Sequence, residues 1–238
     1  MLALSFVLQF LFLGVVFGSP KEILIGRLFK NYDPAIPPSN SEGIIGKVDF
    51  NIRPQCMELS LDGELEGNIW AYQSWQDDRL AWNSSEESGI ELIRVPAKKN
   101  WLPDVVLYMK KSAQLVDEEY NAVVYSSGRV IYVPDIRFKM DCDNANLTNP
   151  WAVNECNLRY GSWTFDSRLM QLSIGEHSSD ETEYTQYCSI KTLEIKEELK
   201  TKVYDCCPEP YSHIEYKLRL QRKFLKTDQG IVYNPMDV

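Results

Sequence analysis

Val123-Val124-Tyr125-Ser126-Ser127-Gly128-Arg129-Val130-Ile131-Tyr132-Val133 is two runs of branched and aromatic residues joined by small ones. Branched and aromatic side chains suit a pleated, half-buried surface, and Ser126 to Gly128 supply the reversal, so the stretch predicts a β-hairpin. Outward from it the same period of two returns. Met57, Leu59 and Leu61 alternate with Glu58, Ser60 and Asp62, Leu172 and Ile174 repeat the pattern, and Leu218 and Leu220 do so beside Lys217 and Arg219. Strands of this kind, separated by Gly, Pro, Asn and Ser clusters, set one face on a core and the other in water. The expected fold is all-β, an immunoglobulin-like β-sandwich of antiparallel strands. One element departs from this period: Leu24 and Leu28, then Ile25 and Phe29, recur at i, i+4 between Lys21 and Lys30, which predicts a short N-terminal α-helix. Pro34, Pro37 and Pro38 with Ser39, Asn40 and Ser41 then form a loop.

The first 18 residues contain no Asp, Glu, Lys or Arg and are apolar almost throughout. Residues 1–18 read as a secretory signal with cleavage near Gly18, although a basic start is missing. A membrane span is the competing reading, and it needs about 20 apolar residues. No second apolar run of that length follows, so the expected mature chain is secreted and has no membrane span. Residues 19–224 form one domain with no internal repeat, and residues 225–238 a polar, turn-prone tail. The 34 acidic and 25 basic side chains give a net charge of −9, which argues against nucleic acid or an anionic membrane as partner and favours cations. Asn83-Ser84-Ser85 and Asn146-Leu147-Thr148 are glycosylation sequons, expected at the surface.

Six cysteines in an exported chain point to disulfides, and counting alone allows 15 pairings. Cys142 and Cys156 enclose 13 residues, and Cys206 and Cys207 are adjacent, which leaves Cys56 and Cys188 either bridged to each other or free. Neighbouring Cα atoms lie about 3.8 Å apart, below the usual disulfide range of roughly 4.4–6.8 Å. Adjacency therefore leaves three options: a tight ring, two thiols, or bonds to Cys56 and Cys188. Tyr204-Asp205-Cys206-Cys207-Pro208-Glu209-Pro210-Tyr211 surrounds the pair with two tyrosines and two prolines, a composition for a stiff aromatic recognition loop.

His177 and His213 stand at no metal-ligand spacing, so no metal site is expected. Asp180, Glu181 and Glu183 read most simply as a solvated loop, with a calcium site as the weaker alternative, since a hard cation needs several convergent oxygens and only three carboxylates stand close together. There is no Gly-x-Ser-x-Gly elbow, histidine cluster or phosphate loop, and the expectation is a binding protein with no cofactor and no enzymatic activity. Trp75, Trp82 and Trp101 have strand-like surroundings and are expected in the core, whereas Trp163, Tyr204 and Tyr211 sit beside turns.

Four motifs in order carry a family resemblance: Trp101-Leu102-Pro103-Asp104, the Cys142–Cys156 spacing, Gly161-Ser162-Trp163-Thr164, and the Tyr204 to Tyr211 loop. Together they resemble the ligand-binding domain of the Cys-loop receptors, most strongly the acetylcholine-binding proteins, soluble homologues of nicotinic receptor extracellular domains. The resemblance implies disulfides Cys142–Cys156 and Cys206–Cys207, a homopentamer, and acetylcholine or other cationic small molecules bound between subunits. It implies a principal face of Tyr108, Trp163, Tyr204, Cys206, Cys207 and Tyr211, and a complementary face of Trp70, Tyr72, Val123, Ile131 and Val133 from the next subunit. Asp104 is implied to hold the Ser162-Trp163 turn, and residues 176–184 to touch the rim. Such a cage suits a quaternary ammonium, which has no N–H to donate and binds aromatic faces by cation–π attraction of about 0.5–2 kcal/mol per contact. Two residues depart from the pattern: Met109 stands where the family commonly has Asn, and the 13-residue loop is polar where channel-forming members are hydrophobic. The alternative reading is the extracellular domain of a pentameric ligand-gated channel, which the polar loop argues against.

Overall fold

The computed structural model describes residues 18–117, 119–175 and 188–236. Helix α1 (Pro20–Leu28) starts at Ser19, whose hydroxyl accepts from the Glu22 amide while the Glu22 carboxylate accepts from the Ser19 amide, a reciprocal cap. Its Leu24 is fully buried and Ile25, Leu28 and Phe29 pack on the core, as the i, i+4 pattern requires.

In chain order the strands are β1 (Gly46–Leu59), β2 (Glu64–Gln76), β3 (Leu92–Pro96), β4 (Val105–Leu107), β5 (Lys110–Leu115), β6 (Asn121–Tyr125) and β7 (Arg129–Tyr132). There follow β8 (Asp135–Asp141), β9 (Asn154–Ser162), β10 (Met170–Ile174), β11 (Ile190–Tyr204), β12 (Cys207–Arg222), β13 (Phe224–Thr227) and β14 (Gly230–Tyr233). One sheet runs β10-β1-β2-β7-β6-β3, with β8 also on β2 and β5 on β8; the other runs β11-β12-β9-β4. The two form the expected sandwich. Among the described residues all strand pairings but one are antiparallel: β1 and β10 run parallel, Val48 opposite Leu172.

The opening hairpin is β6–β7, with Val123 opposite Ile131 and Val124 opposite Val130. Gly128 takes φ +86 at the turn, where a Cβ would meet the Asp77 carbonyl at 2.7 Å, so both conformation and space demand glycine. Val124 and Val130 point to the core and Val123 and Ile131 to the outer face. Elsewhere the alternation holds to the ends of strands and no further. Met57 and Leu59 are buried, but Leu61 lies in the turn after β1, where the Ser60 amide donates to the Glu64 carbonyl, and it is exposed. Leu172 is buried and Ile174 leaves the core at the end of β10, whereas Leu218 and Leu220 in the middle of β12 are wholly buried.

Between the sheets Phe50 of β1 meets Tyr160 of β9 at 5.1 Å between ring centres, and Trp75 meets Trp101 edge-on at 5.8 Å. Trp75, Trp82 and Trp101 are all core residues. Each fully buried large apolar side chain contributes about 1.5–3 kcal/mol. Three disulfides add to this: Cys56–Cys188, which ties β1 to the segment before β11, Cys142–Cys156 and Cys206–Cys207. Buried Arg222 at the end of β12 donates to the carbonyls of Leu59, Ser60 and Pro150, pinning the β1–β2 turn and the 142–156 loop to one strand. The segment expected as a polar tail carries the β13–β14 hairpin, held by fully buried Asn234, which donates to the Arg222 and Lys223 carbonyls. Among the described residues no helix is long and apolar enough to cross a membrane.

Candidate ligand-binding site

Four aromatic rings gather at one end of the four-stranded sheet. Tyr108 follows β4, Trp163 follows β9, Tyr204 ends β11 and Tyr211 lies early in β12. Tyr108 and Trp163 meet edge-on at 6.5 Å between centres, and Tyr204 and Tyr211 at 5.9 Å. Trp163 is 71% exposed, an indole that folding has left uncovered.

Backbone and polar groups fix this arrangement. The Tyr108 amide donates to the Arg159 carbonyl, and its phenol donates to the Ser162 carbonyl at 2.7 Å. The ring lies over Gly161, where a Cβ would come within 2.3 Å of the phenol oxygen. Asp104 binds the next turn with both oxygens, accepting from the Ser162 hydroxyl at 2.6 Å, the Thr164 amide at 2.7 Å and the Thr164 hydroxyl at 2.6 Å. The Trp163 amide donates to the Asp104 carbonyl, so the indole's backbone is held from both sides. Below the cysteine pair, Ser167 donates its amide to the Pro210 carbonyl and shares a hydroxyl contact with Ser212, while Arg168 pairs with Glu209. The loop tip with Cys206 thus stands on an anchored base.

A second surface forms on the outer face of the eight-stranded sheet. Along β2, Trp70 and Tyr72 point outward and are half-buried, and one step further Ser74 stands opposite Ile131, which in turn stands opposite Val123. Val133, just after β7, is exposed. Arg129 donates to the Tyr72 phenol and the Ser74 hydroxyl, bracing Tyr72 in place. Arg53 lies over Trp70 at 5.8 Å, and Lys202 over Tyr204 at 4.7 Å, so an aromatic on each surface already faces a cation.

The sequence profile of the neurotransmitter-gated ion-channel ligand binding domain matches residues 21–224. The chain belongs to that family. It is 31% identical over 205 residues to the neuronal acetylcholine receptor subunit alpha-3 of Bos taurus, covering 84% of this chain and 41% of the relative. It is 30% identical to the acetylcholine receptor subunit alpha-like 2 of Drosophila melanogaster, covering 85% and 37%, and 30% identical to the subunit alpha-L1 of Schistocerca gregaria, covering 85% and 38%. The chain thus spans about two-fifths of the length of these curated relatives. The family binds ligands and is not catalytic.

In this ligand-binding domain the disulfides Cys142–Cys156 and Cys206–Cys207 are both present. Tyr108, Trp163, Tyr204 and Tyr211 lie together; Trp70, Tyr72, Val123 and Ile131 lie together on the other sheet. Burial pushes the Tyr108 phenol up to about 12, with Tyr204, Asp104 and Tyr211 adding to the rise, so it is a neutral hydrogen-bond donor at physiological pH. Met109 adopts φ +56 with its side chain 82% exposed, a left-handed position that suits Asn or Gly better. Asn83 and Asn146 are both exposed.

Residues 176–184, with His177 and the acidic group Asp180, Glu181 and Glu183, lie outside the described residues, as does nearly all of the apolar stretch 1–18 expected as a signal. Among the described residues no cluster of three His, Cys, Asp or Glu side chains is placed to hold a metal ion. Two residues join the site through cross-strand register that no local motif displays: Gly161, which makes room for the Tyr108 ring, and His213, whose ring lies 6.3 Å from that of Tyr108.

Proposed function

We propose that this chain is a secreted, soluble binding protein that assembles as a homopentamer and captures acetylcholine and similar cationic ligands between its subunits. One observation carries the reading: a single chain presents a cluster of four aromatic rings on one sheet, Trp163 exposed and Tyr108, Tyr204 and Tyr211 half-buried, and a second aromatic surface, with Trp70 and Tyr72, on the other sheet. Neither surface encloses a cation alone, and repeated around a ring of identical subunits the first faces the second. Tyr108, Trp163, Tyr204, Cys206, Cys207 and Tyr211 form the principal wall, and Trp70, Tyr72, Val123, Ile131 and Val133 the complementary one. Asp104 and Ser162 position Trp163. The acetylcholine receptor subunits among the relatives support the ligand class, and three disulfides fit an oxidising compartment.

Isothermal titration with acetylcholine, nicotine and an antagonist alkaloid tests the proposal, with sedimentation giving the assembly. Saturable heat from the intact oligomer is expected, and no heat from any of the three would sink the ligand claim. A second reading, the ligand-binding part of a gated channel, is favoured by the greater length of the receptor relatives. The polar 142–156 loop, with Asn146, Leu147, Thr148 and Asn149 all exposed, speaks for water at that end. Four apolar helices encoded downstream would decide for the channel.

A further inference from the structure

Behind the principal wall, on the same face of the four-stranded sheet, cross-strand neighbours form rows. One row runs Val106, Gly161, His213, Lys200 across β4, β9, β12 and β11. The row on one side pairs Tyr211 with Lys202, and the row on the other runs Arg159, Glu215, Glu198. His213 therefore stands between the aromatic row and a row of charges. It is only 9% exposed, and because Gly161 opposite it has no side chain, the ring of Tyr108 fills the space at 6.3 Å from the imidazole.

We propose that His213 is a further specificity-determining residue of this cage, which accepts a cation while the imidazole is neutral and loses affinity when the imidazole takes a proton. The inference rests on the reading of the site given above. A cation against Tyr108 and a proton on His213 place two like charges on either flank of one ring, with little water between them.

The groups facing His213 set its charge. From β12 itself comes Glu215, from β9 Arg159, from β11 Lys200 and Lys202, and from the turn after β4 the neutral phenol of Tyr108. Burial disfavours the imidazolium; Glu215 opposes this, but its charge is already shared by Arg159 and Lys200, and the three nearby cations leave His213 below the usual histidine range. At neutral pH the imidazole is uncharged. Acidification protonates it, and by linkage a bound cation pushes the protonation to still lower pH.

The test uses the intact oligomer and acetylcholine, whose quaternary nitrogen does not titrate. Between about pH 7.5 and about pH 5 the affinity should fall, part of the way to a limit of roughly five- to ten-fold at full protonation, the effect of one unit charge about 10 Å away at intermediate permittivity. In His213→Gln the affinity should stay level over that range. The imidazole titration of His213, followed by NMR in the unsubstituted protein and told apart from the other histidine with His177→Gln, should move to lower pH when acetylcholine saturates the site. Binding that is equally tight at both pH values, or a His213 titration untouched by ligand, overturns this inference and leaves the cage standing. Absence of binding at every pH overturns the cage and the inference with it.

Discussion

The Tyr108 phenol reaches the Ser162 carbonyl at 2.7 Å by passing over Gly161, so the residue before the turn makes room for the ring that the turn then holds. Three segments of chain meet in this contact, and it sets how far Tyr108 stands from Trp163. Adding a methyl at Gly161 should push the ring outward, since the new Cβ would also lie 3.0 Å from the Ser212 carbonyl. Gly161→Ala should cost about 1–3 kcal/mol in urea unfolding and weaken acetylcholine at least about ten-fold, the scale of one good cation–π contact. Unchanged affinity would mean that Tyr108 does not form the wall.

Met109 is held in the left-handed region with its side chain in water, where packing returns little for the strain. Met109→Gly should therefore stabilise the domain by about 0.5–1 kcal/mol and raise Tm by about 1–4 °C. A lower Tm would show that the exposed methionine is held by a contact with something else, such as a neighbouring subunit.

The three disulfides should separate cleanly. Cys56–Cys188 closes a loop of 132 residues and Cys142–Cys156 one of 14, so chain entropy assigns them about 5 and about 3 kcal/mol as upper values. Cys206–Cys207 closes almost no loop. Replacing Cys206 and Cys207 by serine should leave the unfolding midpoint nearly unchanged and reduce binding, whereas replacing Cys56 and Cys188 should lower the midpoint most. Collapse of the fold in the Cys206/Cys207 double variant would make that pair structural.

Glu215 is buried, which pushes its carboxyl up, but Lys200 and Arg159 outweigh this and hold it below the usual glutamate range. A carboxyl lowered on folding contributes its full stability above the unfolded value of about 4.5 and loses it as pH falls through the folded one. Glu215→Gln should thus cost about 2 kcal/mol at pH 7 and progressively less below about pH 4. Equal losses at both pH values in urea titrations would rule the ion pairs out as the cause.

Much of the fold was legible because buried strands write their period into the chain. Val124 and Val130, or Leu218 and Leu220, could be placed on the core face from alternation alone, and Trp75, Trp82 and Trp101 from their surroundings. Period two does not say where a strand stops, which is why Leu61 and Ile174 were extrapolated past the core. Nor does it tell a parallel from an antiparallel partner, so β1–β10 was invisible. Cys56 and Cys188 are 132 residues apart, and only the sandwich brings them together. The aromatic residues of the site were legible as motifs beside turns. Gly161 and His213 were not, because their parts depend on cross-strand register, which no local pattern states.

The claim that the cage is shared between subunits can be tested by complementation. Trp163→Ala removes a largely exposed ring from the principal wall and Trp70→Ala a half-buried one from the other, so each homo-oligomer should assemble and fail to bind acetylcholine. Assembled together in equal amounts, the two variants should regain saturable binding at about one quarter of the sites, where an intact Trp163 meets an intact Trp70. No binding in the mixed oligomer, although both chains are present in it, would contradict a site built between subunits.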